Sequence, residues 1–318
     1  MKNTSTPERR KQPAISFPDL EAAGQYGGLE LWARRLVEGF LVGLHKSPYH
    51  GFSVEFSEYR PYQPGDSLRD IDWKVLARTD RLYVKKYEEE TNLRCQLLID
   101  ASSSMFFPAD ETPTKFSFSA FLAAALLYLL RKQRDAAGLT LFAEEILFHR
   151  LPSVRQTHFR SLMAQLEHAL RHPQPRRQTR LPHVLEQINA QLPRRSMIML
   201  FSDAFVPGPQ FETLLEAFKY LHSRRHDVIF FHVLSYPEEV SFAYDAPYLQ
   251  LEDLETGRRL HLSPSEFQSL FQQRMQAFLH EMKVEMFRYG VDYVPVDIQQ
   301  GPDQVLLPFL DRRTRRIG

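Results

Sequence analysis

Asp100, Ser102 and Ser104 stand at alternate positions directly after an apolar run, Gln96-Leu97-Leu98-Ile99. One carboxylate and two hydroxyls at that spacing form half of an all-oxygen shell, the donor set of a hard cation such as Mg²⁺ or Mn²⁺. A second apolar run, Met197-Ile198-Met199-Leu200-Phe201-Ser202, delivers Asp203, and between the two runs Thr179 closes a loop just before a helix. Together these residues complete one shell. Two carboxylates balance a divalent ion, three hydroxyls add neutral ligands, and Mg²⁺ keeps waters in its remaining positions. No side chain of the set has to fill the last position, so an Asp or Glu from a partner protein can take it. That is adhesion chemistry rather than catalysis. The competing reading is that the hydroxyls only cap helices and Asp203 only makes a turn.

Such a cluster needs a frame that brings distant segments to one edge. The run before Asp100 does not alternate apolar with polar residues, which predicts a strand buried on both faces. Beyond residue 93 strands and helices alternate. Strands are predicted over 96–100, 138–143, 145–151, 196–202, 227–235 and 291–298, the second and third forming a hairpin through Glu144. Helices are predicted over 115–134, 157–170, 181–192, 210–223, 264–289 and 302–314. This pattern defines an α/β fold, a doubly wound, mostly parallel sheet with helices on both faces. Ligands of such sheets bind just past the carboxyl ends of central strands, where Asp100 and Asp203 fall. A small hairpin over 248–263 turns at Thr256-Gly257.

Upstream, residues 1–18 are polar and proline-containing and read as a disordered tail. Residues 19–92 form an α+β extension, and 93–318 the α/β domain. The extension opens with a helix from Asp19 to about His45, with Leu29, Trp32, Leu36, Phe40 and Leu44 at helical spacing. A strand over 53–60, a short helix over 70–77 and a strand over 82–87 complete it.

Composition bounds the rest. The 318 residues are 43% hydrophobic and 25% charged, ordinary for a globular protein. A net charge of +1 gives no bulk electrostatic case for nucleic acid or an anionic membrane as partner. The single cysteine, Cys95, excludes an internal disulfide and fits a reducing cytoplasm. The longest apolar run, Phe116 to Leu130, falls short of the roughly 20 residues a membrane span needs, so it predicts a helix covered by neighbours and no membrane insertion. The charged N-terminus lacks the apolar core of a secretory signal. Phosphate-cradling glycine motifs and a nucleophile elbow are missing from the sequence. His168 with His172, and His222 with His226, have zinc-compatible spacing but no adjacent acid, and read as surface residues. Asp70, Asp72 and Lys74 evoke a nuclease centre without a further acid to complete it.

Asp100-x-Ser102-x-Ser104, Thr179 and Asp203 resemble the metal-ion-dependent adhesion site of von Willebrand factor A-type domains. A second and more specific likeness lies upstream. Glu58-Tyr59-Arg60-Pro61-Tyr62-Gln63-Pro64-Gly65-Asp66-Ser67-Leu68-Arg69-Asp70-Ile71-Asp72-Trp73-Lys74-Val75-Leu76-Ala77-Arg78 and Tyr83-Val84-Lys85-Lys86-Tyr87-Glu88-Glu89-Glu90 resemble the signature of the "domain of unknown function fifty-eight" family. The two likenesses span roughly residues 27–310. They imply a cytoplasmic protein working with a MoxR-type AAA+ ATPase in assembling or maturing other proteins, its metal held by the five site residues. Many relatives carry two membrane helices ahead of the signature, which this chain lacks. Relatives also tend to read Gly-Thr-Asp-Leu where Gln178-Thr179-Arg180-Leu181 stands here. The alternative from another class is a Mg²⁺-dependent hydrolase or phosphotransferase built on the same cluster, for which the sequence near Asp100, Thr179 and Asp203 offers no histidine as general base. The sequence says nothing of the client protein or of oligomeric state.

Overall fold

The computed structural model describes residues 28–44, 59–61, 75–76, 78, 82–85, 93–108, 113–173, 178–205 and 209–317. The expected tail and most of the signature segment, including Asp70, Asp72 and Lys74, lie outside the described residues.

Helix α1 (Gly28–Leu44) is followed by a short antiparallel pair, β1 (Tyr59–Pro61) with β2 (Tyr83–Lys85). The main sheet has β3 (Arg94–Asp100), β4 (Ala136–Phe142), β5 (Ile146–Ser153), β6 (Met197–Ser202), β7 (Asp227–Leu234) and β10 (Asp292–Asp297). Its strand order is β10-β7-β6-β3-β4-β5, parallel throughout except for the antiparallel edge strand β5. The chain therefore starts in the middle at β3, runs outward to β5, and crosses back to lay β6 on the other side of β3. The reversal of winding puts the topological switch point between β3 and β6.

Helices α2 (Lys115–Lys132), α3 (Gln156–Arg171) and α7 (Pro302–Ile317) join α1 on one face of this sheet, and α4 (Leu181–Gln191), α5 (Pro209–Ser223) and α6 (Pro264–Arg288) cover the other. The split follows the pleat. Leu97 and Ile99 pack into the first layer, while Leu98 between them packs into the second. The strands read as continuous apolar runs because both sides are covered. The apolar run of α2 is buried as expected, and α1 lies on its outer side, with the Trp32 and Phe121 rings 4.8 Å apart. Glu167 of α3 accepts the Leu29 backbone N–H at 3.2 Å, so α1 shares the core of the α/β domain.

Element ends differ slightly from the pattern. Strands β3 and β4 start at Arg94 and Ala136, two residues earlier than apolar patterning suggests, because Arg94 pairs with Ala136 in the parallel ladder. Helix α2 stops at Lys132, and Arg134 follows with φ 60°. The expected hairpin forms from β8 (Leu249–Glu252) and β9 (Arg259–Leu262), with Gly257 at φ 71° in its turn.

Candidate functional site

Both acids reach the switch point by strand geometry alone. Asp100 is the last residue of β3 and Asp203 follows the last residue of β6; both are fully buried. Asp100 Oδ1 accepts the Ser102 backbone N–H at 2.9 Å, a short turn that swings the chain away from the sheet. Its Oδ2 accepts the Thr179 hydroxyl at 3.1 Å and the Ser202 hydroxyl at 2.8 Å. The hydroxyls of Ser102 and Ser104 lie 3.1 Å apart, and Ser104 in turn hydrogen-bonds the Asp203 carboxylate. The five residues singled out in the sequence thus converge, linked through one hydrogen-bonded oxygen cluster. Arg180, next to Thr179, is exposed, and its backbone N–H bonds to Ala143 O at 3.1 Å.

Lys115, the first residue of α2, is fully buried in the same cluster. Its ammonium donates to Asp203 Oδ2 at 2.7 Å and to Glu239, which arrives on the turn over Tyr236–Val240 after β7. The Phe205 ring lies 5.2 Å from the ammonium and the Phe107 ring 5.8 Å. Ala204, immediately after Asp203, is held at φ 47°, a left-handed backbone that costs a non-glycine residue about 1 kcal/mol. The hairpin β8–β9 brings Glu255 to the rim, where Oε2 accepts the Thr179 N–H at 3.4 Å.

The charges are unevenly matched. Burial pushes Asp100 up to about 6, and the nearby Asp203 adds to this; its hydrogen-bond partners are all neutral donors. Burial would raise Asp203 too, but the Lys115 ammonium and its hydrogen bond, with those from Ser104 and the Phe205 N–H, hold it below the usual carboxylate range. Burial would lower Lys115, and the charges of Asp203 and Glu239 reverse that. Glu255 is pushed up to about 7 by burial and by Asp203 and Asp100.

Folding also supplies a histidine that the sequence near the acids lacks. His232 of β7 bonds to Asp203 O at 2.8 Å and to the Tyr293 hydroxyl at 2.6 Å. A carbonyl only accepts, so Nε2 carries the proton and Nδ1 accepts from Tyr293. Burial pushes this imidazole down to about 4. With both nitrogens engaged, it buttresses the Asp203 turn. The other histidines divide. His168 and His172 are exposed with rings 4.6 Å apart, whereas His226 is buried and bonded to the Ser196 N–H and to Asn189. Among the described residues no three His, Cys, Asp or Glu side chains are grouped to hold a metal by themselves, so any ion at the switch point relies on hydroxyls. Cys95 is packed in the core, and burial pushes its thiol up.

Sequence reasoning missed Ser202, Lys115, Glu239 and Glu255. Ser202 was visible beside Asp203. Lys115 read only as a helix start, and the two glutamates lie on turns whose positions follow from tertiary packing.

The fold and site together define a doubly wound α/β protein with a buried carboxylate–hydroxyl cluster at its switch point. The chain belongs to the family described as "Protein of unknown function DUF58", whose model matches residues 58–279. It is 27% identical over 267 residues to the uncharacterized protein Mb1516 of Mycobacterium bovis, covering 80% of this chain and 81% of that protein. It is 32% identical over 100 residues to the uncharacterized protein YeaD of Bacillus subtilis, covering 31% of this chain and 23% of that one. Among solved structures it is similar to the conserved hypothetical protein BatB from Bacteroides thetaiotaomicron, with a TM-score of 0.44 and 16% identity over 70% of this chain and 99% of that chain. No helix among the described residues is long and apolar enough to cross a membrane.

Proposed function

We propose that this chain is a metal-dependent protein-binding module of the von Willebrand factor A kind, with Mg²⁺ or Mn²⁺ held by Asp100, Ser102, Ser104 and Thr179, and by Asp203 directly or through water. The charge balance carries this reading. Asp100, Asp203 and Glu239 are three buried or nearly buried carboxylates in one cluster with a single ammonium, which bonds Asp203 and Glu239 but not Asp100. With all three ionised, two negative charges remain, the charge of one divalent cation. The ligand atoms are all oxygen, as a hard cation requires. When bound, the ion supplies an electrophilic point whose open position takes a carboxylate from a client protein. The residues of the chain position that point and neutralise it: Lys115 fixes Asp203, Ser202 and Thr179 orient Asp100, and His232 holds the backbone of the Asp203 turn. The family likeness in the sequence adds a MoxR-type AAA+ ATPase as working partner, supplying energy for complex assembly or maturation.

Calorimetric titration of Mn²⁺ into the full chain tests the site: saturable binding in wild type and none in Asp100→Asn is expected. A flat wild-type trace overturns the proposal. Pull-down from native lysate with and without chelator then reports the client.

One observation favours the second reading, a Mg²⁺-dependent hydrolase or phosphotransferase. Glu255, pushed up to about 7 and bonded to the Thr179 N–H at the rim, would serve as the general base in this reading. Turnover of a generic phosphoester with Mg²⁺, abolished by Glu255→Gln, would establish it in place of adhesion.

A further inference from the structure

The opposite edge of the sheet carries a second charged feature. The turns from α4 to β6 and from α5 to β7 each hold an Arg-Arg pair, Arg194-Arg195 and Arg224-Arg225. The turns are stitched together, the Arg195 N–H donating to Arg224 O at 3.4 Å and the Asp227 N–H to Ser196 O at 3.0 Å. All four arginines and Ser223 line one open cavity of about 470 Å³. No carboxylate lines it. The neighbouring Asp227 is bound in both oxygens by Arg313 of α7. Arg224 is anchored on the carbonyls of Asn189 and Leu192, the latter at 3.2 Å, at the end of α4.

The backbone adds an independent observation. Arg195 has φ 62° and Arg225 φ 59°, the left-handed conformation in which glycine or asparagine ends a helix at lower cost. Neither turn needs an arginine for its own geometry. Four arginines lining one open cavity, with only the Arg224 guanidinium bonded to backbone carbonyls nearby, suit a ligand with several negative charges. Arginine rather than lysine suits tetrahedral oxyanions held bidentately.

From these observations we infer that this cavity binds a small ligand with two or more linked phosphoryl groups, such as the phosphate chain of a nucleotide or inorganic polyphosphate. Arg194, Arg195 and Arg225 engage the phosphoryl oxygens, and Arg224 holds the two turns in register. This site is independent of the acidic cluster and needs no metal.

The test is calorimetric titration of the full chain, in low salt with EDTA, using inorganic tripolyphosphate, pyrophosphate and orthophosphate. Saturable binding is expected for the first two, at least about tenfold tighter than for orthophosphate, and weakened by salt. Arg195→Gly with Arg225→Gly removes two guanidiniums while easing both turns; it should weaken binding at least about tenfold while the thermal midpoint holds or rises. Asp100→Asn should bind tripolyphosphate like wild type. No heat with either linked phosphate, orthophosphate binding as tightly, unchanged affinity in the double glycine variant, or loss in Asp100→Asn would each overturn the assignment.

Discussion

Lys115→Met removes the one ammonium bonded to the buried carboxylates while keeping most of the packing volume of the side chain. Lysine and Asp203 side chains are 0% and 1% exposed, and their bond is 2.7 Å long. Breaking such a pair by deleting one partner costs about 3–5 kcal/mol, because the other charge stays behind uncompensated. Glu239 eases part of this by taking up a proton, since burial already raises its pKa. A loss of about 3 kcal/mol at neutral pH in metal-free buffer is therefore expected. It is a large fraction of the 5–15 kcal/mol typical of a folded domain, yet small enough to leave the variant folded. Urea unfolding followed by circular dichroism measures it. Two further arms sharpen the reasoning. Adding Asp203→Asn to the variant should restore part of the loss, because the orphaned charge is then gone. Mg²⁺ at a hundred times its dissociation constant should stabilise the single variant by about 2.7 kcal/mol over its metal-free form, and the same Mg²⁺ concentration should stabilise wild type less. A loss below about 1 kcal/mol, with no recovery in the double variant, would refute the view that this ammonium neutralises the cluster.

Asp100→Asn should raise metal-free stability at pH 7 by on the order of 2 kcal/mol, because the carboxylate it replaces is raised to about 6 and ionises unfavourably when folded; differential scanning calorimetry reads this. His232 is depressed to about 4, so the unfolded chain binds more protons between about pH 6.5 and 4. The His232 contribution to stability falls as pH drops through that window, by about 3 kcal/mol in all, while the raised carboxyls of Asp100 and Glu255 act with the opposite sign; the difference between the pH–stability curves of wild type and His232→Gln isolates it. At Gly138, an added Cβ would lie 2.6 Å from Arg150 O and 2.8 Å from Pro152 N, backbone atoms of the neighbouring strand. Gly138→Ala should therefore cost about 1–3 kcal/mol in urea unfolding without altering the metal titration.

Strands and helices were legible because the core is two-sided: Leu97, Leu98 and Ile99 are all buried, and a short run without alternation, ended by a turn, fits a strand covered on both faces. The two acids were legible for the same reason, each ending such a run. Thr179 was found as a hydroxyl before a helix, and its burial against Asp100 follows from where α4 begins. What stayed hidden depends on elements meeting in space. Lys115 looks like an ordinary first-turn residue until α2 is docked, and Glu239 sits 124 residues away from it in sequence. His226 read as a surface residue on spacing alone. Its burial against Ser196 and Asn189 arises from the packing of α4 beside the α5–β7 turn, which periodicity does not encode.

The balanced net charge of +1 conceals how the topology sorts charge. In a parallel sheet every carboxyl end lies at one edge and every amino end at the other, so residues at the same point of successive βα units accumulate in space. Here Asp100, Asp203, Glu239 and Glu255 gather at the carboxyl edge, and Arg194, Arg195, Arg224 and Arg225 at the amino edge. Bulk charge argues against anionic partners only for a protein whose charges are mixed. The carboxyl edge gathers buried acids around Lys115, and the amino edge gathers four arginines beside Asp227, which Arg313 pairs, so local fields differ from the whole-chain sum. Parallel strand direction is therefore what gathers these two clusters at opposite ends of the strands.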